Sequence, residues 1–319
     1  MTRHLSAVPD AQESEPPAEW SPLIPKRPLA LPKRFSFSAA DTYEQCPRKW
    51  QAKYQWGLHD PPGAAAAVGT MAHAVLERFG SLPGWARTGR GMRWALRRAV
   101  EDLSDPNRPH PDEPPPSPAI AREGYEIAVT ASRLPEVRNA RVVSLEQQLT
   151  ATIAGVPFTG KADKVVMLPS DSPEVVDYKG GKPKNPRARF RGSDGEWVYP
   201  YEPLRRQLRL YTSALQRIGV PVAAARIVWL RVPRSDRVDV SDGPVAEAER
   251  WLRRQWEALG RSVETGEFEA RPGGLCSWCP AVPFCSEGQH AVDEREAAGK
   301  ALGEHGAAWL AARAAEEAD

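Results

Sequence analysis

The stretch that decides the fold is FTGKADKVVMLPSDSPEVVDYKGG, Phe158 to Gly181. Its two ends, Phe158–Met167 and Glu174–Tyr178, are rich in Val and Thr and are parted by the turn-forming Pro169–Pro173. They read as successive strands. A third strand is expected just before them over Arg141–Ile153, joined through Gly155–Pro157. Alternation along a strand puts Asp177 and Lys179 on one face. If the two strands pair, Asp163 reaches that face as well. Two convergent carboxylates offer hard oxygen ligands suited to Mg²⁺ or Mn²⁺. The lysine beside them can orient water or neutralise charge on a phosphate, a combination that suits phosphodiester hydrolysis. A structural Asp–Lys pair with an exposed aspartate nearby is the plainer reading of the same residues.

Outward from this stretch the hydrophobic period is helical. Helices are expected over Ser38–Tyr54, capped by Ser38, and over Ala66–Phe79, where Val68, Met71, Val75 and Phe79 recur at three and four. Arg90–Leu103 and Pro118–Leu134 follow the same pattern. Beyond the strands come a helix over Pro203–Ile218, a fourth strand over Arg226–Val232 and a long helix over Val245–Val263. That order implies an α/β fold with a mixed sheet and an N-terminal helical part. Prolines punctuate it. Seven in the first 34 residues mark a disordered leader over 1–34. A second cluster marks a loop insertion at about 104–118. The main domain is then 35–290, and 291–319 is an Ala- and Glu-rich tail, helical at most.

The chain has 319 residues, with 43 Lys and Arg against 41 Asp and Glu. A net charge of +2 names no partner, so any basic surface must be local. No apolar run is long enough for a membrane span, the N-terminus does not read as a secretory signal, and four cysteines are too few for a disulfide scaffold. Cytoplasmic residence is the expectation. Gly155–Lys161 matches the first seven positions of a phosphate-binding P-loop, but Ala162 stands where the Mg²⁺-binding hydroxyl belongs and the segment feeds a strand. ATP binding is rejected, so any unwinding of DNA falls to a helicase or recombination partner.

Four motifs in order resemble the RecB-like exonuclease branch of the PD-(D/E)XK nuclease superfamily. They are Gly69-Thr70-Met71-Ala72-His73, Gly160-Lys161-Ala162-Asp163, Asp177-Tyr178-Lys179-Gly180-Gly181 and Gln207-Leu208-Arg209-Leu210-Tyr211. The resemblance implies a restriction-endonuclease-like sheet flanked by helices and a metal-dependent DNA exonuclease of repair or recombination. A CRISPR-adaptation nuclease and a non-catalytic DNA-end-binding scaffold are the alternatives. It implies that His73, Asp163, Asp177 and the backbone carbonyl of Tyr178 ligate the metal, that Lys179 is catalytic, and that Gln207 and Tyr211 contact DNA. Taken alone, His73 is more often a helix-surface or satisfied core histidine, with Glu77 sharing its helix face. Glu146 is a candidate for a second metal.

The cysteines are Cys46, and Cys276, Cys279 and Cys285 in a C-x₂-C-x₅-C run. By number they fit either Zn²⁺ or a [4Fe–4S] cluster. The resemblance, to the AddB and CRISPR-adaptation types of nuclease, implies the cluster; it would tie the C-terminal cysteine-rich segment to the N-terminal helix, and the neighbouring Trp278 and Phe284 would shield it or are equally well ordinary core. Such a tie closes a loop from Cys46 to Cys276, at a chain-entropy cost on the order of 5 kcal/mol.

From Tyr178 to Ser193 there are six basic residues and no acidic one. Lys182, Lys184, Arg187, Arg189 and Arg191 are expected to contact DNA phosphates; a solvated loop is the plainer reading. Arg205, Arg206 and Arg209 offer a second basic track, and Trp197, Tyr199 and Tyr201 are candidates to stack on unpaired bases, favouring single-stranded or free-ended DNA.

Overall fold

The computed structural model describes residues 29–58, 63–107, 115–191 and 196–316. Most of the expected leader, and residues 108–114 of the expected loop insertion, lie outside the described residues.

The first expected helix is broken into pieces. Strand β1 (Phe35–Ser36) runs into α1 (Phe37–Gln45), whose cap is Ser36 and not Ser38: Ser36 Oγ accepts the Ala39 N–H at 3.1 Å. The helix stops at Cys46, which is extended at φ −164°. Pro47 is the cause, because its ring clashes with an α conformation in the residue before it. Helix α2 (Pro47–Trp50) then restarts with Pro47 in its first turn and widens into a π turn over Gln51–Gln55. The break leaves Cys46 at a corner between helices.

The sheet is built on β3 (Val156–Met167). Along one edge it pairs antiparallel with β2 (Arg141–Ile153). Along the other it pairs first with β1 and then with β4 (Pro173–Lys179). Strand β7 (Ala224–Trp229) lies parallel to β4, and β8 (Arg234–Val238) returns antiparallel at the edge. The single strand expected over Arg226–Val232 is thus the end of β7 and a turn. Strand β8 escaped notice because Arg234-Ser235-Asp236-Arg237-Val238 has no apolar alternation, as befits a charged edge. A separate ribbon pairs β5 (Phe190–Arg191) with β6 (Trp197–Val198).

Helices cover both faces. On one side α3 (Ala64–Gly80), α4 (Gly89–Ser104) and α5 (Pro118–Ala131) bury Met71, Val75 and Ile127 against Val166, Val176, Tyr178 and Val228. On the other, α7 (Glu202–Arg217) and α8 (Asp242–Thr265) bury Leu208, Leu215, Trp251 and Leu252 against Val165, Val175 and Ile227. Alternating valines of β3 and β4 therefore serve two cores, as the strand period requires. This is the mixed, helix-flanked sheet expected. Beyond it, α9 (Ser286–Ala297) crosses the boundary expected at 290, and α10 (Glu304–Glu316) ends the described chain. No helix among the described residues is long and apolar enough to cross a membrane.

In β3, one residue after Asp163, Lys164 is 1% exposed, and its Nζ donates to the carbonyls of Glu136 and Val137 in α6 (Pro135–Arg138) at 3.4 and 3.1 Å. Burial, reinforced by Arg87, pushes its pKa from 10.5 down to about 8. Between those values the unfolded chain holds a proton that the folded chain has released, so this group makes stability rise with pH. Urea midpoints measured at pH 8 and pH 10.5 should show a smaller rise, or a steeper fall, in Lys164→Met than in wild type. Equal slopes would show that Lys164 titrates normally.

Candidate active site

The site forms where the sheet divides. Phe158 and Thr159 of β3 face β1, and Lys164 to Met167 face β4. Gly160 to Asp163 lie in the gap between. There the Asp163 carboxylate replaces the missing ladder contact, its Oδ2 accepting the Tyr178 N–H at 2.6 Å. It is this N–H of Tyr178 that the structure ties to the site. His73 of α3 brings Nδ1 to 3.6 Å from Asp163 Oδ1, with its ring edge-on to Tyr178 at 5.7 Å. From the other edge comes Glu146. The pairs Leu145 with Lys164 and Gln147 with Ala162 bracket it, setting it across from Asp163. Its φ is +49°, a conformation that costs a side-chain-bearing residue energy and that clusters at functional sites. Its carboxylate pairs with Lys161. Ligand atoms of His73, Glu146 and Asp163 all lie within 4.8 Å of one another, a donor set suited to a hard divalent cation. Of the expected metal ligands, then, His73 and Asp163 converge with Glu146.

Asp177 lies beside that group, 3% exposed, and is turned toward Lys179, whose Nζ is 2.8 Å from Asp177 Oδ2. Asp177 Oδ2 has no well-aligned hydrogen bond, so a buried lone pair is left for another partner. Lys179 Nζ also donates to Gln207 Oε1 at 2.8 Å, and Gln207 Nε2 donates to Tyr211 Oη at 2.9 Å. Gln207 and Tyr211, expected to contact DNA, are here bonded to each other and to the lysine. Tyr211 is buried, and the Gln207 amide is spent on the lysine and the phenol. A Cβ at position 160 would come within 2.8 Å of the Tyr211 ring, so Gly160 is what lets that helix close on the sheet.

Burial pushes the Asp177 carboxyl up, with Lys179 opposing. For Asp163 burial also pushes up, but the His73 hydrogen bond and charge outweigh it and hold the pKa below the carboxylate range. For His73 burial pushes down and Asp163 reverses it, so the imidazole pKa is raised. Both shifts favour the charged forms of His73 and Asp163, so a cation taken by His73 would compete with the imidazole proton.

A second cluster lies across the fold. Cys46, Cys276, Cys279 and Cys285 line one cavity together with Arg48 and Lys49. Every sulfur accepts a backbone N–H: from Arg271 to Cys46 at 3.4 Å, Gly273 to Cys276 at 3.2 Å, Gly288 to Cys285 at 3.3 Å, and Ala281 to Cys279. Burial pushes the Cys279 and Cys285 thiols up to about 11, so these two stay protonated unless a metal takes them. Neither Trp278 nor Phe284 is among the residues that line the cavity. The Trp278 ring instead packs against Gly303, where a Cβ would approach within 2.4 Å, and against the Arg295 guanidinium.

The model of the PD-(D/E)XK nuclease superfamily matches residues 34–286. The chain belongs to that superfamily. A crystal structure of a protein provisionally named an exonuclease, from Eubacterium rectale, is similar at 13% identity and a TM-score of 0.50, over 75% of this chain and 84% of that one. At that identity it speaks for the fold alone. A crystal structure of the protein SSO0001 is similar at 12% identity over 81% of this chain and 87% of that one, with a TM-score of 0.36, which carries no argument. No curated protein matches the sequence.

In this member of the PD-(D/E)XK superfamily the basic residues divide into two kinds. Lys182, Arg187, Arg189 and Arg191 are exposed after the lysine strand, while Lys184 donates to the Pro200 carbonyl at 3.1 Å. The second track is not free. Arg206 pairs with Glu44 at 2.8 Å, Arg209 with Glu202 at 2.8 Å, and Arg205 donates to the Pro186 carbonyl at 3.1 Å. Tyr201 is 1% exposed and donates to Asp236, so it is core and not a stacking surface.

Glu146→Gln and Asp163→Asn should each weaken Mn²⁺ binding by more than the roughly tenfold that loss of even an outer partner costs. Calorimetric titration checks this; wild-type affinity in both variants would move the metal elsewhere.

Proposed function

We propose that the chain is a RecB-like, Mg²⁺- or Mn²⁺-dependent deoxyribonuclease that degrades DNA from ends in repair or recombination. The observation that carries the reading is the convergence of His73, Glu146 and Asp163 beside a lysine held by Asp177 and Gln207. Superfamily membership supports hydrolysis of DNA, and the name given to the Eubacterium rectale protein agrees with exonuclease action. The three residues would hold the cation, with the unbonded Asp177 oxygen beside them. A bound cation supplies charge neutralisation at the phosphate and acidifies its water. Lys179 has three ammonium protons; Gln207 accepts one, and the ion pair with Asp177 holds the ammonium in place, which leaves protons for a phosphate oxygen or the attacking water. Gln207 holds the lysine from α7, and Tyr211 holds Gln207.

In the same reading the four cysteines bind a [4Fe–4S] cluster that joins the two ends of the nuclease domain. Among the described residues, the group of three or more His, Cys, Asp or Glu ligand atoms that closes to within 4.8 Å is the His73 group. The sulfurs are spread more widely, although four thiolates on one zinc ion at 2.3 Å would stand about 3.8 Å apart. A cubane, with one thiolate on each of four irons, suits the wider spread. Backbone N–H groups on all four sulfurs, and Arg48 and Lys49 in the wall, favour thiolate and a negatively charged group.

Asp177→Asn and Lys179→Ala should each lower cleavage of end-labelled DNA by at least about a hundredfold, while DNA affinity changes little because it rests mainly on Lys and Arg. Wild-type turnover in either variant would sink the site assignment. Protein purified without oxygen should be brown and carry about four irons per chain. Cys46→Ser should lower both iron content and melting temperature. A colourless preparation with one zinc per chain would overturn the cluster.

A further inference from the structure

The ribbon of β5 and β6 is strung between the strand that ends at Lys179 and the helix that carries Gln207. Its register pairs Phe190 with Val198 and Arg191 with Trp197. Arg189 and Tyr199 adjoin the paired residues, one just before β5 and the other just after β6. The guanidiniums of Arg189 and Arg191 lie 4.6 and 4.3 Å from the Trp197 ring centre. Even so Trp197 is 41% exposed, and Tyr199 is 47% exposed. Two large rings thus stand in solvent on the segment that links the lysine strand to α7, and Trp197 rests against two arginines and not against a core.

We infer that these rings form a stacking platform for unpaired DNA bases, seating a single strand next to the lysine site. The inference rests on the nuclease reading and names its substrate class. In extended chain, residues i and i+2 are about 6.6 Å apart along the backbone, twice the strand rise, a step that consecutive nucleotides of a stretched single strand can match. A duplex cannot use the platform, since its bases are already stacked on one another. Charge favours nucleic acid over an apolar protein segment: from Lys179 to Glu196 the chain has six basic residues against two acidic ones, Asp194 and Glu196. Arginines beside stacking rings are the pairing that single-strand grooves use.

The test is fluorescence anisotropy in metal-free buffer on the full chain, with a short oligo(dT) and an abasic strand of equal length. Wild type should prefer oligo(dT). Trp197→Ala and Tyr199→Ala should each lose roughly fivefold to a hundredfold on oligo(dT) and little on the abasic strand, and Trp197→Phe should retain the preference. Equal wild-type affinity for the two strands overturns the platform and leaves a protein partner as the occupant of the ribbon. So does a loss in Trp197→Ala that is the same on both strands, which would mark a structural role. Cleavage with Mg²⁺ is followed in parallel: base preference without cleavage by wild type overturns the nuclease reading alone, and cleavage without base preference overturns the platform alone.

Discussion

The hydrogen bond from the Tyr178 N–H to Asp163 Oδ2, at 2.6 Å, spans the place where the sheet comes apart. Strand β3 changes partner there, from β1 to β4, and a backbone donor at such a junction has no carbonyl opposite it. A buried donor left alone costs free energy comparable to a lost hydrogen bond. The carboxylate meets that demand and is itself fixed in place, with its other oxygen presented to His73. Fold and site are therefore one arrangement: the defect in the ladder is what holds the aspartate.

Everything else at the site reaches this point from a different element. Helix α3 brings His73 from one face of the sheet, β2 brings Glu146 from its edge, and α7 brings Gln207 from the opposite face. Each approach depends on something small or strained. Gly160 admits Tyr211, Gly124 admits Met71 as α5 crosses α3, and Glu146 adopts its positive φ. Such strain persists only where neighbours over-determine it. Here Lys161 holds the Glu146 carboxylate and the β2 register holds its backbone on both sides.

The parts of this arrangement legible in the sequence were those whose chemistry is carried by residue type and strand period. Asp163, Asp177 and Lys179 announce themselves by alternation, and the two-faced core follows from Val165, Val166, Val175 and Val176. What was hidden depends on backbone and partners. Nothing in Glu146 signals a left-handed conformation. The helix break at Cys46 was signalled by Pro47, but the apolar period around it obscured the stop. Gln207 and Tyr211 lie on one helix face, as read, yet only the packing of α7 shows that the face looks inward at Lys179. Tyr201 and Tyr199 are two residues apart in the same aromatic run, and sequence cannot tell that one is core and the other in solvent.

The cysteine cavity imposes an order in time. Cys46 and Cys276 are 230 positions apart, 276 minus 46. At roughly 5–20 residues per second of synthesis, the first sulfur leaves the ribosome on the order of ten to fifty seconds before the rest. During that interval the sheet and both helical layers emerge and can pack, while α1 and α2 have no C-terminal wall to rest on. Any group shared by all four sulfurs must then be delivered to a nearly finished protein, through whatever opening remains beside Arg48 and Lys49. For such a group, insertion would come late and could not template the nuclease core, whose corner at Cys46 would still be open.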